Sequence, residues 1–469
     1  MMTSRDLLIR NAEVDGVSGL DVRIVDSRIE AVGPGLCAAS DELDARGGAL
    51  IPGLIDHHIH LLATAARADS LALDTVRTQA EFLARLREYA AARAPGSWVR
   101  AVGYHERMAG LLSRHDLDQL VPLHPLRVQH QTGSLWMLNS QALAMVAGGE
   151  IPPSVERDGA GSPTGRIWRG DAWLAERLGA TPPAFAPLGA RLAALGVTGL
   201  MDASVSTDDK SAAILANAHR AGELPQRLAL MSGGFLTERP DAFRIGPLKI
   251  MLDEHNLPPL DDIVRRIGMA RSWRRRVAVH CVTAAELALT LAAFETAGAE
   301  PGDRIEHGGM IPADAIGVVA GLGLTVVTQP GFVFERGDRY LADIDPTEHC
   351  DLYRCASLLS AGVPVASSSD APYSAPDPWA AMRAAVGRRT RDGLPLGVEE
   401  RVSASIALGL HLGGFDAPGG HCREVAPGDP ADLCLLKAPR REALAALSSD
   451  LVAATIIQGK IAYREVHFG

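Results

Sequence analysis

Eight short apolar runs, rich in β-branched residues, recur along the middle of the chain with helical stretches between them. In order they are LIDHHIH (54–60), VTGLMDAS (197–204), RLALMSG (227–233), PLKIMLD (247–253), RVAVHC (276–281), RIEHGG (304–309), LTVVTQP (324–330) and VPVASSSD (363–370). The stretches between them are rich in Ala, Leu and Arg, as in DDIVRRIGMARSWRRR (261–276) and AAELALTLAAFETAG (284–298). Short strands alternating with helices predict an α/β chain whose strands are parallel. Eight such alternations predict a closed (β/α)8 TIM barrel. An open doubly wound sheet is the alternative, but the G-x-G-x-x-G loop often found after its first strand is absent.

The two ends read differently. DLLIRNAEV and DVRIVDSRIEAVG place apolar residues at alternate positions with turn residues between them. ADLCLLKA and LVAATIIQGKIAYR do the same near the other end. Alternation of that period marks strands with one buried face. The expectation is a small β-sandwich built from both ends, residues 1–53 and 404–469, flanking a barrel over 54–403. With 469 residues, of which 47% are hydrophobic, the chain suits one large domain and a smaller one. Between the first two barrel runs lies a long interval with its own strand-like segments, SWVRAVGY and LRVQHQ. It reads as an insertion over about 65–190, packed over the barrel mouth where active sites of this fold lie.

Composition excludes several classes. A formal charge of −10 argues against nucleic-acid binding. No run approaches the ~18 apolar residues of a membrane span. The first residues lack the basic and apolar regions of a signal peptide, which makes a cytoplasmic location the expectation. The six cysteines include no C-x-x-C pair and are too sparse for a disulfide scaffold. The basic run Arg271 to Arg276 is expected to be a solvated helix end.

The polar residues on the eight runs form a pattern. His58 and His60 end the first, and alternate strand residues share a side. Lys249 lies in the fourth, His280 ends the fifth, His307 the sixth and Asp370 the eighth. Singly, each suits a structural role: a hydrogen-bonded histidine, a snorkelling lysine, a turn aspartate. Together, on five strands at matching ends, they point to a divalent metal site. His57 faces away from His58 and is assigned to packing. The remaining histidines, among them His105, His411 and His467, show no such coherence.

PGLIDHHIH, LKIMLDE, VAVHC, RIEHGG, PVASSSDAP and GDPADLCLL resemble the motifs of the amidohydrolase superfamily. The likeness is greatest to its amidohydrolase-3 branch, which includes the N-substituted formamide deformylases. That resemblance implies one or two divalent ions, zinc first, with manganese or iron as alternatives. His58, His60 and Asp370 would hold one ion and His280 and His307 a second, with a carbamylated Lys249 bridging them. A lysine ammonium has no lone pair to offer a cation, whereas its carbamate is an anionic oxygen ligand. The implied reaction is hydrolysis of an amide-type C–N bond of a small molecule, an N-acyl or N-formyl amine. Metal-activated water attacks, and Asp370 acts as proton shuttle. Substrate contacts are expected from Tyr104, His130, Ser134, Trp168 and Arg169, with Trp136 and Tyr373 as further candidates. Ser134 stands in TGSLWMLNS where relatives often carry a histidine. Deamination or cyclic-amide opening on the same scaffold is the second reading; a mononuclear deaminase would use a glutamate next to the fifth-strand histidine, whereas HCVTAAE places Glu286 six residues after His280. A metal-binding barrel without turnover is the third. The partner is a small-molecule substrate, and a homodimer is an allowed assembly.

Overall fold

Eight parallel strands form the central sheet of the computed structural model, which describes residues 6–68, 70–73, 75–146, 148, 151–178, 182–466 and 468. They are β1 (Leu54–Ile59), β2 (Val197–Asp202), β3 (Arg227–Ser232), β4 (Arg244–Ile250), β5 (Val277–Cys281), β6 (Arg304–His307), β7 (Thr325–Thr328) and β8 (Val365–Ser367). Each pairs in parallel with its neighbours in chain order. The ring closes just past the strand ends. Asp370 N donates to His58 O at 2.8 Å and His60 N to Ala371 O at 2.8 Å. All eight sequence runs supply these strands, and the architecture is a TIM barrel. Ile55, Met201, Ala229, Met231 and Ala278 fill its interior with Phe415.

The Pro-Gly before the first histidines has a steric cause. A Cβ on Gly53 would lie 2.1 Å from Thr198 Cγ2, so only glycine lets the start of β1 lie against β2. Two features depart from expectation. Among the described residues no helix links β3 to β4. The connecting segment 233–243 carries two glycines at its start and a proline, and is too short for a helix with a turn at each end. Arg275 is not solvated. It is 7% exposed, and its guanidinium donates to the carbonyls of Gly246, Gly234 and Pro247 and to Ser232 Oγ. A run of arginines conceals one member that is bonded inside.

The chain ends form two four-stranded sheets. One holds Asp6–Val14, Val17–Val25 and Arg28–Gly33 in an antiparallel meander, with Asp41–Asp44 parallel to the first. In the other, Leu50–Pro52 pairs with Leu433–Leu436, followed by Val452–Ile457 and Lys460–Arg464. Ile9, Val22, Ile24 and Leu43 from one sheet meet Leu433, Leu435 and Ile456 from the other in a shared core. This is the β-sandwich built from both ends.

The chain divides into two compact units. One holds the sandwich and barrel, up to Leu61 and from Phe185 onward; the other is Leu62–Ala184. The second contains a six-stranded mixed sheet in the order Val155–Arg157, Pro163–Trp168, Leu135–Leu138, Leu126–His130, Val99–Tyr104, Leu71–Ala72. One face packs Phe82, Leu86, Leu117 and Met137. The other packs Trp136, Leu138, Leu143 and Leu174.

Candidate metal centre

His58 and His60 lie at the end of β1, and Asp370 follows β8, its neighbour across the barrel closure. Ligand atoms of the three lie within 4.8 Å of one another. His60 Nε2 is 3.1 Å from Asp370 Oδ1, and His58 Nε2 is 3.5 Å from the same oxygen. His307 joins them, with Nδ1 3.9 Å from Asp370 Oδ2 and its ring centroid 4.7 Å from that of His58. The His280 ring centroid is 4.5 Å from that of His307. Lys249 is fully buried, with Nζ 4.0 Å from Glu306 Oε2. The six residues singled out from the sequence therefore converge at one end of the barrel.

The surroundings fix which nitrogen each imidazole presents. His58 Nδ1 contacts the Glu306 carboxylate, so it carries the proton, leaving the Nε2 lone pair facing inward. His307 Nδ1 bonds Gln329 Oε1 at 2.9 Å, and Gln329 Nε2 in turn donates to Ser368 Oγ at 2.9 Å. That fixes the amide and hence the His307 tautomer. His60 Nδ1 lies 2.9 Å from Ser204 Oγ. The Ser204 backbone N–H is held by Asp202 Oδ1 at 3.0 Å. These assignments follow from the hydrogen-bond network. His58 Nε2 thus aims a lone pair at a carboxylate oxygen and makes no hydrogen bond among the described residues, while that oxygen, Asp370 Oδ1, is buried with His60 Nε2 3.1 Å away. Two acceptors held face to face repel unless a cation lies between them.

Protonation states suit the same end. Burial, then Lys249, holds the His58 pKa well below its ordinary value; burial, then His307, does so for His280. His307 is lowered first by burial. Burial alone would raise Asp370, but the imidazoles of His60, His307 and His58 outweigh it and hold the carboxyl below its ordinary range. The result is neutral imidazoles and an ionised carboxylate, the forms that bind metal. Lys249 Nζ and His280 Nδ1 are likewise buried and make no hydrogen bond among the described residues. Burial lowers the lysine to about 8. His307 and Asp370 both adopt left-handed backbone, φ 70° and 54°, a strain found where side chains must be aimed.

The amidohydrolase family profile matches residues 41–463. The chain belongs to the amidohydrolase family. It is an enzyme of that family, a metal-dependent hydrolase acting on non-peptide carbon–nitrogen bonds. It is 29% identical to the N-substituted formamide deformylase of Arthrobacter pascens, over 88% of this chain and 89% of that protein. Among solved structures, an uncharacterized metal-dependent hydrolase from Pyrococcus horikoshii superposes with a TM-score of 0.74 at 18% identity, covering 92% of this chain and 97% of that one. The atrazine chlorohydrolase of Arthrobacter aurescens, solved with zinc, gives 0.55 at 16% identity, over 98% and 96%.

Several residues of this amidohydrolase centre escape a search for ligands. Glu306 is fully buried. It contacts His58 Nδ1 through one oxygen and Arg304 Nε through the other, while Arg304 Nη2 donates to His57 O at 3.0 Å. Asp56 accepts from the backbone N–H of Ser369 at 3.0 Å and from Ser369 Oγ, tying β1 to the end of β8. The alternation Arg304-x-Glu306 was the available signal, since a buried strand tolerates such a pair only when both charges are matched.

The expected substrate contacts occupy varied positions. Tyr104 is a correction: it is fully buried, packs on Phe82, and its hydroxyl donates to Gly110 O at 2.7 Å. It is a core residue of the Leu62–Ala184 unit. His130 is held on both nitrogens, Nε2 by Glu106 at 2.7 Å and Nδ1 by Thr132 Oγ1 at 2.8 Å. Ser134 Oγ lies 2.8 Å from the same threonine oxygen. Trp168 is 43% exposed, with Nε1 donating to Glu156 at 3.1 Å. Arg169 has left-handed backbone, φ 51°. Trp136 is buried, its Nε1 bonded to Asp171. The Tyr373 ring stands 5.7 Å from that of His60. His467 lies outside the described residues. No helix among the described residues is long and apolar enough to cross a membrane.

Proposed function

We propose that this amidohydrolase cleaves the amide-type C–N bond of a small N-acyl or N-formyl amine. The observation that carries the reading is the pair of buried acceptors, His58 Nε2 and Asp370 Oδ1, held face to face beside His60. A formamide deformylase among the relatives supports the choice of substrate class. His58, His60 and Asp370 would hold one ion, zinc by preference for nitrogen and carboxylate ligands. His280 and His307, with carbamylated Lys249, would hold a second. Partial neutrality at a pKa near 8 suits that lysine for reaction with carbon dioxide. A divalent cation bound there supplies a polarised substrate carbonyl and a water of lowered pKa.

The chain's own groups do the rest. Asp370, ionised and beside the centre, takes the proton of the attacking water and hands it to the leaving nitrogen. Ser204, Glu306 and Gln329 fix the three imidazoles that surround it. Glu286 is engaged in capping a helix. Its carboxylate accepts the backbone N–H of Val282 at 2.7 Å and of Thr283 at 3.1 Å, closing the capping box of the helix Ala284–Ala297. That capping role speaks against Glu286 as the acid–base group of a deaminase.

The test is an activity screen of zinc- or manganese-loaded protein on N-formyl and N-acetyl amines, N-acyl amino acids, hydantoins and lactones. Turnover of formyl or acyl amines, lost on chelation and restored by metal, is expected. Turnover confined to hydantoins or lactones would replace the substrate class. Activity that survives complete chelation would refute the metal-dependent mechanism. Elemental analysis is expected to give two ions per chain. One ion, with Lys249 unmodified by intact mass, would remove the bridging carbamate.

A further inference from the structure

The Leu62–Ala184 unit holds a second cluster of charged groups, which shares no residue with the metal centre. Arg100 and Arg127 occupy paired positions on the adjacent strands Val99–Tyr104 and Leu126–His130. Both guanidiniums lie over the Trp136 ring, with Cζ 5.3 Å and 5.2 Å from its centroid. Arg127 also lies 5.6 Å from Trp98. Two like charges are therefore stacked side by side on one indole, and both residues are partly accessible.

Among the described residues nothing neutralises them fully. Asp171 is the carboxylate nearby, and its Oδ1 already accepts from Trp136 Nε1 at 2.7 Å. Arg100 Nε and Arg127 Nε are buried without hydrogen-bond partners, and so is the indole N–H of Trp173 on the same face. Every unsatisfied atom in this group is a donor. Burial, then mutual repulsion, brings Arg100 down to about 10, still charged at neutral pH. A water can accept from such donors, but it cannot compensate two adjacent charges. An oxyanion does both, because its oxygens match the guanidinium fork and its charge answers the pair.

We propose that Arg100 and Arg127, backed by Trp136, form a binding site for a small oxyanion, a phosphate or a carboxylate. The stacking on tryptophan fixes the guanidinium planes and lowers the entropy lost on binding. The proposed site uses none of the residues assigned to the reaction, so binding is read without turnover.

The test uses the full-length, metal-loaded protein with inorganic phosphate and with malonate as probes. Titration calorimetry is run at constant ionic strength against chloride. Saturable binding of phosphate or malonate is expected, and which one binds tighter identifies the source of the anion. Arg127→Met is expected to weaken that binding about tenfold or more, because the paired donor is lost. Arg100→Lys, which keeps charge and stem but not the fork, is expected to weaken it severalfold. His60→Ala, at the metal centre, is expected to bind as the wild type does. Absence of saturable binding in the wild type overturns the proposal whether or not any variant folds. So does binding lost only in His60→Ala, which would place the anion on the metal.

Discussion

Asp370 combines two duties that one substitution separates. As a ligand atom it needs only an oxygen; as a proton shuttle it needs an ionisable one. Asp370→Asn is therefore expected to keep the fold and most of the metal while kcat falls about 100-fold or more, the scale of a lost general base. Metal content and kcat measured on one preparation check it, and near-normal kcat would sink the assignment. Glu306 makes the converse case, because it sits behind His58. Glu306→Gln removes the anion that fixes the His58 tautomer and leaves Arg304, 1% exposed, without its counter-charge. A loss of about 3–5 kcal/mol in unfolding free energy is expected from the stranded charge. Metal affinity is expected to fall about 10- to 100-fold, as for other groups that orient a ligand. Chemical denaturation and competition with a metal indicator measure the two. The proposed ligand side chains were legible because histidines at strand ends stand out from an apolar background. Ser204 and Gln329 were not, since each acts through a contact with a residue far away in sequence and nothing in its own neighbourhood marks it; for Glu306 the one local signal was Arg304 two residues before it.

The barrel strands were readable because parallel strands buried on both faces are nearly uninterrupted apolar runs. The missing helix between β3 and β4 was not, because counting alternations ignores the length of each connection. The helix Ala284–Ala297 shows how a local signal bears on a functional question. Thr283 Oγ1 accepts from Glu286 N, and the Glu286 carboxylate returns the bond to the Thr283 backbone, a T-x-x-E signature visible in HCVTAAE. Thr283→Ala is expected to cost about 1 kcal/mol of stability with kcat unchanged. Glu286→Gln should likewise leave kcat near the wild-type value in steady-state assays. A collapse of kcat in Glu286→Gln would return that residue to the chemistry and revive deamination.

At the scale of the molecule, the barrel encloses more neutral imidazole than the metal alone calls for. His57 and His411 are buried near β1 beside the liganding set, and neither is a proposed ligand. Burial holds His57 well below its ordinary pKa and brings His411 down to about 4. A histidine whose folded pKa lies below its unfolded value near 6.5 contributes full stability above pH 6.5. That contribution is lost as the pH falls from 6.5 toward the folded pKa, because only the unfolded chain takes up the proton. For His411 the gap corresponds to about 3 kcal/mol. Asp56 opposes this. Burial raises it to about 6, so between about 6 and 3.8 the folded state takes up the proton first and gains stability on acidification. In metal-free protein His57, His58, His280, His307 and His411 act together against that one carboxyl, so acidification from pH 6.5 to about 4.5 is expected to destabilise the fold. Carboxylates held low, such as Asp370, contribute only below their unfolded values and so lie outside this window. Denaturant titrations of chelated protein at several pH values across it measure the slope, roughly 1.4 kcal/mol per pH unit for each net proton taken up. His411→Gln should flatten the curve by close to one proton. An unchanged slope in that variant, or a wild-type stability flat from pH 6.5 to 4.5, would mean that these rings are protonated in the folded barrel.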